Sequence, residues 1–224
     1  MGMSIRLLIH GASGRMGQAL LRLAEQHPNL HIAAASGRAD MDRMDALPDF
    51  DIAIDFSSPE GFDAVLALCL ARGKGLLSGS TGLSDAQFKA LDAAGSRIPV
   101  LWASNFSLGV AVLDRLVAVA GKALPDWQLD ILEAHHIHKK DAPSGTALSL
   151  GRTAEAVTGH APVYHSLRCG DVVGEHTVQF TGIGERIELV HRASNRDIFA
   201  QGALFAAWKL AGKVNGVYKF GDLL

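Results

Sequence analysis

The chain has 224 residues, of which 48% are hydrophobic and 20% charged, and its formal net charge at pH 7 is -2. This composition is typical of a globular protein with one large or two modest domains, and the balanced charge gives no general reason to bind nucleic acid or an anionic membrane. No apolar run approaches the roughly 20 residues of a membrane span, and the N-terminal run is too short for a signal-peptide core. We expect a cytoplasmic protein with no membrane or nucleic-acid partner.

The first half of the chain alternates short apolar runs with helical patterns. Predicted strands lie in IRLLI, HIAAAS, FDIAIDFSS, KGLLSGSTG and IPVLWASNFS, and predicted helices in QALLRLAEQ, PEGFDAVLALCLARG and SDAQFKALDAAGS. Pro59 near the start of the second helix, Gly73 beyond its end and Ser84 as N-cap of the third are usual boundary residues. The alternation predicts a Rossmann-like, doubly wound parallel sheet of the α/β class, in which ligands bind beyond the carboxyl ends of the strands.

The pattern changes after residue 106. The helical stretch LGVAVLDRLVAVAGKAL precedes the strand WQLDILEAHH, and a helix follows the SGT turn. Three alternating stretches, VYHSLRCGD, HTVQFTGIG and RIELVHRAS, then come with no helical pattern between them, which predicts an α+β domain with a mostly antiparallel sheet. We predict a first domain over 1–106, on which the helical segment 198–224 packs back, and a second over 107–197.

The two cysteines, Cys69 and Cys169, lie far apart in unlike contexts. This usage fits a reducing compartment better than a disulfide framework. We expect both thiols to be small core side chains.

The segment GASGRMG places Gly11, Gly14 and Gly17 directly between a predicted strand and helix. Such a turn lets backbone N–H groups approach a pyrophosphate at the positive end of the helix. The spacing departs from the common G-x-G-x-x-G, because Ala12 stands where that pattern has a glycine, so a purely structural turn is the alternative. Two later loops, DFSSPEG and GSTG, would complete a dinucleotide cleft or be plain turns.

The end of the second strand bears on the choice of cofactor. An acidic residue about 20 positions after the glycine turn normally binds the ribose hydroxyls of NADH. Here Gly37 is followed by Arg38, whose guanidinium can pair with a 2′-phosphate. The sequence therefore favours NADPH over NADH. Two alternatives stay open: the carboxylate of Asp40 could still reach the ribose, and Arg38 could be a solvated surface charge.

The stretch EAHHIHKKDAPSGT at 133–146 concentrates imidazole and ammonium groups before a glycine-containing turn. A metal site is disfavoured because adjacent histidines on a strand point to opposite faces and no HExxH or Cys pair accompanies them. A solvated polar loop is a second interpretation. The third is a catalytic loop for a dianionic substrate, in which lysine supplies charge, histidine a proton, and Ser144-Gly145-Thr146 carboxylate-binding donors.

The same stretch resembles the signature loop of the 4-hydroxy-tetrahydrodipicolinate reductases, also called dihydrodipicolinate reductases. The resemblance extends through GASGRMG, DFSSPEG, GSTG, ASNFSLGV, GDVVGEHTV, GIGERIELVHRASNR and the C-terminal helix, and so spans nearly the whole chain. It implies NAD(P)H-dependent reduction of a cyclic 4-hydroxy imine dicarboxylate with loss of water, in diaminopimelate and lysine biosynthesis. It also implies a homotetramer built through the sheet of the second domain.

The resemblance assigns roles to individual residues. It implies His135 as acid/base residue and Lys139 as proton donor, with no metal. The substrate would be bound by His136, Gly145, Thr146 and Arg196. The cofactor, NADPH in preference to NADH, would be bound by Gly11, Ala12, Ser13, Gly14, Arg15, Met16, Arg38, Gly79, Ser80, Thr81, Ala103, Ser104, Asn105 and Phe106.

Other functions remain open at this point. One is a dehydrogenase of another imino or keto acid, which the basic loop disfavours because it suits two carboxylates better than one. Another is a non-catalytic NADPH-binding sensor, which the retention of His135 and Lys139 disfavours. We place the remaining histidines with no motif support, His10, His27, His31 and His160, in turns and on the surface.

Overall fold

The computed structural model describes residues 4–224 and divides into two compact units. The first unit comprises the chain up to Phe106 together with Phe199–Leu224, and the second comprises Ser107–Ile198. Each unit has its own cluster of buried apolar side chains. None of the helices within 4–224 combines the length and the apolar character needed to cross a membrane.

The first unit is built on a six-stranded parallel sheet in the order β10-β5-β4-β3-β1-β2. Its strands are β1 (Ile5–His10), β2 (Leu30–Ser36), β3 (Ile52–Asp55), β4 (Gly75–Ser78), β5 (Pro99–Trp102) and β10 (Gly216–Tyr218). The inner strands β3 and β4 are buried along their whole length, as expected for a parallel sheet covered on both faces. The predicted Rossmann-like sheet is confirmed.

Helices α1 (Arg15–Ala24), α2 (Pro59–Arg72), α3 (Asp85–Ala94) and α6 (Asp197–Leu210) accompany this sheet. Helix α2 begins with Pro59, is capped by the Ser58 hydroxyl, and ends at Gly73 in a left-handed conformation with φ of 63°. Ser84 caps α3 as predicted and forms a capping box with Gln87. The sequence did not predict β10 or the two 3₁₀ segments, Arg38–Ala46 and Phe220–Leu223.

The second unit contains helices α4 (Leu108–Ala123) and α5 (Gly145–Thr158) and a four-stranded sheet in the order β7-β6-β8-β9. The strands are β6 (Gln128–His135), β7 (Val163–Arg168), β8 (Gly174–Thr181) and β9 (Arg186–Ala193). Two of the three pairings are antiparallel, which confirms the prediction, whereas β6 and β7 are parallel. The parallel pair arises because α5 supplies the crossover that such strands require.

Alternation along β6 decides which of its side chains face the core. Leu129 and Ile131 are buried beneath the two helices, and the same face continues to Glu133 and His135 at the carboxyl end of the strand. A carboxylate is therefore carried on the buried face of a strand. Burying the negative charge of Glu133 is costly unless it is paired. The neighbouring residues must therefore supply hydrogen-bond donors and a positive charge.

Two expectations about single residues are wrong. Cys69 is buried in the core, where burial raises the pKa of its thiol, but Cys169 is exposed because it follows the end of the edge strand β7. His10 is not a surface residue: it is the last residue of β1 and only 1% exposed.

Helix α6 packs closely against the end of the chain segment that follows β5. A Cβ atom on Gly202 would lie 1.6 Å from the carbonyl oxygen of Phe106, whereas one on Gly221 would meet nothing within 4 Å. We predict that Gly202→Ala lowers the free energy of unfolding by more than about 2 kcal/mol, because backbone must move. Gly221→Ala is the control, expected to change it by less than about 0.5 kcal/mol. Equal urea-unfolding curves for the two variants would contradict this packing.

Candidate active site

The turn after β1 depends on its glycines for backbone contact. Gly11 has φ of 81°, and a Cβ there would lie 2.4 Å from the Phe56 carbonyl oxygen. A Cβ on Gly17 would lie 2.3 Å from the Gly11 carbonyl oxygen. The loops after β1 and β3 can approach each other and α1 only because these positions carry no side chain.

The N-terminus of α1 opens into a cleft of about 350 Å³. Its N-cap is Gly14, which has no side chain to accept from the N–H groups of the first turn, so these groups and the helix dipole suit an anion. The cleft is lined by His10, Gly11, Ser13, Gly14, Gly37, Arg38, Met41, Phe56, Ser57, Ser58, Glu60 and Gly61. These features fit a dinucleotide with its pyrophosphate at the helix start.

Arg38 and Asp40 have different roles beside this cleft. The Asp40 carboxylate accepts a hydrogen bond of 2.9 Å from the backbone N–H of Gly37, and so holds the turn after β2. Arg38 is exposed and lines the cleft. Glu60 lines the same cleft. Its pKa is lowered by a backbone hydrogen bond, by a hydrogen bond from the Ser58 side chain and by the charge of Arg38.

A buried carboxylate joins the ends of the neighbouring strands β3 and β4 in the first unit. Asp55 accepts hydrogen bonds from the hydroxyls of Ser57, Ser78 and Ser80 at 2.5, 2.7 and 2.8 Å. The Ser80 hydroxyl also accepts from the backbone N–H of Ser57. This hydroxyl is therefore occupied within the protein, as is the backbone of Ser80, whose N–H donates to the Ser78 hydroxyl and whose carbonyl accepts from Trp102.

His10 is a cleft residue that sequence reasoning missed. Its Nδ1 lies 2.9 Å from the Ser36 hydroxyl, and burial lowers its pKa against the opposing effect of Asp55. The ring is therefore neutral near pH 7. Its position at the carboxyl end of β1, directly before the glycine turn, was the available signal, because ligands bind at such strand ends.

The predicted cofactor residues fall into three groups along the carboxyl edge of the sheet. Gly11, Ser13, Gly14 and Arg38 line the cleft, and Ala12, Arg15 and Met16 belong to the same turn and helix start. Gly79, Ser80 and Thr81 follow β4, and Ala103, Ser104, Asn105 and Phe106 follow β5. The Phe106 ring is buried against Phe56 and Phe220, so only its backbone can face a ligand.

In the second unit, Glu133 fixes the orientation of His135. Glu133 is 2% exposed and His135 8% exposed. His135 Nδ1 lies 2.5 Å from Glu133 Oε2, and since an ionised carboxylate only accepts, Nδ1 carries the proton. Nε2 is left for other chemistry, and the absence of a side chain at Gly174 keeps space beside it, since a Cβ there would lie 3.1 Å away.

The Glu133 carboxylate stays ionised because of its partners. Burial raises its pKa, but hydrogen bonds from Arg168, Ser166 and His135 outweigh burial and lower the pKa to about 2. Arg168 donates to both carboxylate oxygens, at 2.8 and 2.9 Å. His135 therefore lies beside a permanent negative charge that is itself neutralised by a guanidinium.

The loop after β6 leads from His135 to α5 and contains the predicted proton donor. Lys139 Nζ lies 2.9 Å from Asp141 Oδ2, and this contact lowers the pKa of Asp141. Ser144 caps α5 by accepting from the backbone N–H of Ala147. Gly145 and Thr146 then form the first turn of α5, where N–H groups and the helix dipole suit a carboxylate.

Positive groups gather around the same loop. Burial lowers the pKa of His136, and the charges of Arg196, His138, His135 and Lys139 lower it further. Nδ1 of His136 is buried without a hydrogen-bond partner in the described chain. The structure thus places two of the predicted substrate-binding residues, His136 and Arg196, within electrostatic reach of each other, and it leaves a buried nitrogen of His136 unused there.

Two further histidines on the core-facing side of the sheet, the buried His176 and the partly buried His191, were not predicted. His176 Nε2 lies 3.2 Å from the Ser144 hydroxyl, and its ring centroid lies 5.2 Å from that of His135. His191 Nε2 lies 3.2 Å from the Ser107 hydroxyl. Both side chains point towards the core from the adjacent strands β8 and β9. Nothing in the short segments HTVQF and ELVHR distinguished them in the sequence. Within 4–224, no group of three or more His, Cys, Asp or Glu side chains is arranged to hold a metal ion.

Comparison with known proteins gives a consistent family match. The family model "Dihydrodipicolinate reductase, N-terminus" matches residues 5–106, and "Dihydrodipicolinate reductase, C-terminus" matches residues 109–224. A 4-hydroxy-tetrahydrodipicolinate reductase of Stenotrophomonas maltophilia is 63% identical, with 98% of each chain covered. One from Xylella fastidiosa is 57% identical, again with 98% of each covered.

Solved structures agree on the fold. A dipicolinate-bound dihydrodipicolinate reductase from Paenisporosarcina superposes with a TM-score of 0.87 at 21% identity, covering 99% of this chain and 100% of that one. A DAP dehydrogenase of C. glutamicum superposes with a TM-score of 0.60 at 12% identity, covering 99% and 94%. At these identities the likeness concerns the fold alone.

The buried histidine His176 gives a testable pH dependence. Burial, followed by the charges of His135 and His191, lowers its pKa to about 4. Between pH 6.5 and 4 the unfolded chain therefore binds a proton that the folded protein does not, so stability falls as the pH falls. From pH 7 to pH 5, we predict that His176→Asn loses about 2 kcal/mol less unfolding free energy than the parent protein.

The measurement is urea denaturation of both proteins at the two pH values. The exposed His31, substituted as His31→Asn, is the matched control and should keep the parent pH dependence. The same pH dependence for His176→Asn and the parent would show that His176 is not a suppressed base in the folded state.

Proposed function

The chain belongs to the dihydrodipicolinate reductase family and is an NAD(P)H-dependent oxidoreductase, and we propose how its two units divide the reaction. The first unit is the dinucleotide-binding domain, and the second binds the dicarboxylate. The reaction is reduction of 4-hydroxy-tetrahydrodipicolinate to tetrahydrodipicolinate with loss of water, in diaminopimelate and lysine biosynthesis.

The observation that carries this division is the charge around the loop after β6. The ammonium of Lys139 and the guanidinium of Arg196 supply positive charge, His136 adds a buried ring nitrogen, and the first turn of α5 supplies backbone donors. A substrate with two carboxylates and a reducible C=N or C=C system needs both, together with a proton donor. His136, Gly145, Thr146 and Arg196 are our proposed carboxylate-binding residues.

His135 and Lys139 are the proposed catalytic residues. Loss of the hydroxyl group as water needs a proton for the departing oxygen and a base for the neighbouring C–H bond, and His135 Nε2 is free to exchange protons in this way. A bound nicotinamide would supply a hydride, and a proton from Lys139 would neutralise the negative charge then left on the substrate. The Lys139 ammonium is held by the exposed carboxylate of Asp141, a weak surface pair that a substrate carboxylate can replace.

The first unit fits the cofactor by its backbone. The turn Gly11–Gly14 and the start of α1 would hold the pyrophosphate, and the loops after β4 and β5 would hold the nicotinamide end. Arg38 would pair with the 2′-phosphate of NADPH. Asp40 is hydrogen-bonded to Gly37, which supports NADPH as the preferred cofactor over NADH because the nearby carboxylate already has a partner.

We also propose a cytoplasmic homotetramer assembled through the second unit. The sheet face opposite α4 and α5 carries the exposed apolar residues Val163, Leu167 and Val190. Such a patch on a sheet suits burial against another copy of the chain. Sedimentation equilibrium should give a mass of four chains, and a monomer at micromolar concentration would exclude the proposal.

The reaction is tested by following NADPH absorbance while a synthase makes the unstable substrate in situ from pyruvate and aspartate semialdehyde. Oxidation that depends on both enzymes supports the proposal. Binding of NADPH without oxidation would favour a sensor, and oxidation with other imino or keto acids alone would favour a different dehydrogenase.

The role of Arg38 predicts a cofactor-specific defect. Arg38→Ala should weaken NADPH binding at least tenfold and leave NADH binding within about twofold, because only NADPH carries the 2′-phosphate. Arg43→Ala, in the same 3₁₀ segment but outside the cleft, is the matched control. Fluorescence titration with both cofactors measures this, and equal losses for NADPH and NADH would remove Arg38 from phosphate recognition.

The role of Lys139 predicts a defect in turnover. Lys139→Ala should lower kcat by about 10² to 10⁴-fold and leave the NADPH Kd unchanged, because the proton donor is lost while the first unit is untouched. The adjacent Lys140→Ala is the control and should keep kcat within about threefold. Parent-like turnover of Lys139→Ala in the coupled assay would exclude Lys139 as the donor.

A further inference from the structure

All five N–H donors of the Arg168 side chain have an acceptor. Nη1 and Nη2 donate to the two carboxylate oxygens of Glu133 at 2.9 and 2.8 Å. Nε donates to the backbone carbonyl of Lys139 at 3.3 Å, and Nη2 to that of Asp141 at 2.6 Å. The remaining Nη1 donor reaches the carbonyl of Leu167. A guanidinium offers five donors and no more, so this side chain is fully used.

Those acceptors lie on both sides of the proposed catalytic pair. Glu133 holds the His135 ring through Nδ1, so the pair of bonds to Glu133 sets the direction of that imidazole. The carbonyls of Lys139 and Asp141 belong to the loop that carries the proposed donor. One side chain on β7 therefore connects the orientation of His135 with the backbone position of Lys139.

We propose that Arg168 is a positioning residue that holds His135 and Lys139 in one catalytic geometry. The proposal rests on the proposed function for the roles of those two residues. Arg168 itself does not react: it acts through Glu133 and through the loop backbone.

The chemistry of the side chain explains why arginine is required. A planar guanidinium matches a carboxylate with two parallel hydrogen bonds, and its remaining donors point to fixed directions. Lysine has three donors on a flexible stem and can satisfy the charge of Glu133 without reaching every carbonyl. The parallel pairing of β6 and β7 places His135 and Arg168 at partner positions, which brings the side chain to this point.

The test compares Arg168→Met and Arg168→Lys with the matched control Arg192→Met. Arg192 lies on the same sheet and pairs with Glu175 at its exposed surface. The coupled assay gives kcat and KM, fluorescence titration gives the NADPH Kd, and amide hydrogen exchange reports the protection of the loop at 136–145.

We expect Arg168→Met to lower kcat about 100-fold, because a shift of about 1 Å in a catalytic group has an effect of that size. KM and the NADPH Kd should change less than about threefold. Exchange of the loop amides should be at least about tenfold faster, as expected for local opening. Arg168→Lys keeps the charge and should remain at least about tenfold below the parent in kcat, whereas Arg192→Met should match the parent in every measurement.

Several results would overturn the proposal. Parent-like kcat in Arg168→Lys would show that charge alone suffices, and this variant decides the matter if Arg168→Met does not fold. A rise in KM with unchanged kcat would make Arg168 a binding residue. If the parent protein itself fails to oxidise NADPH, the proposed function fails, but the exchange experiment still tests positioning. Equal protection of the loop amides in Arg168→Met and Arg192→Met would exclude a positioning role for Arg168.

Discussion

A buried carboxylate determines the organisation of the second unit. Glu133 lies on the core-facing side of β6, where an unpaired charge would be strongly destabilising. Its two oxygens are satisfied by the Arg168 guanidinium from the neighbouring parallel strand and by the His135 ring from its own strand. The need to neutralise this charge therefore fixes an imidazole, an edge strand and a loop at one place.

The first unit uses a related arrangement for a different purpose. Asp55 is buried at the end of β3, and the hydroxyls of Ser57, of Ser78 at the end of β4 and of Ser80 donate to it. Beside it, the close backbone approach of Gly11 and Phe56 joins the loop after β1 to the loop after β3. These contacts hold the loops at the carboxyl edge of the sheet around the start of α1, whose N–H groups suit a cofactor recognised by its phosphates.

Much of the fold was predictable because its signals are local. The glycine turn, the Ser84 cap and the strand-helix alternation each depend on neighbouring residues, and all three appear as expected. The burial of His10 and His176 was not predictable in the same way, because it depends on which face of a strand packs on the core. The exposure of Cys169 likewise follows from the edge position of β7 in the finished sheet.

The candidate active site was likewise only partly predictable from the sequence. The loop at 133–146 could be recognised from its concentration of basic groups and from its resemblance to a family, but Arg168 gave no local signal. It lies 35 positions beyond Glu133 and reaches it only through the parallel pairing of β6 and β7. A contact of this kind depends on sheet topology, which the sequence indicated only as mostly antiparallel.

The Glu133–Arg168 pair is proposed to act as one unit that orders His135 and Lys139, and a double-mutant cycle of Arg168→Met and Glu133→Gln measures this coupling. Removing both charges relieves the unpaired carboxylate, so the double variant should be more stable to urea than Arg168→Met alone. Its kcat should stay within about threefold of the lower single variant, because the two residues act together. If the double variant recovers turnover as well as stability, or if the kcat losses of the two single variants multiply in it, Glu133 and Arg168 do not act as one unit.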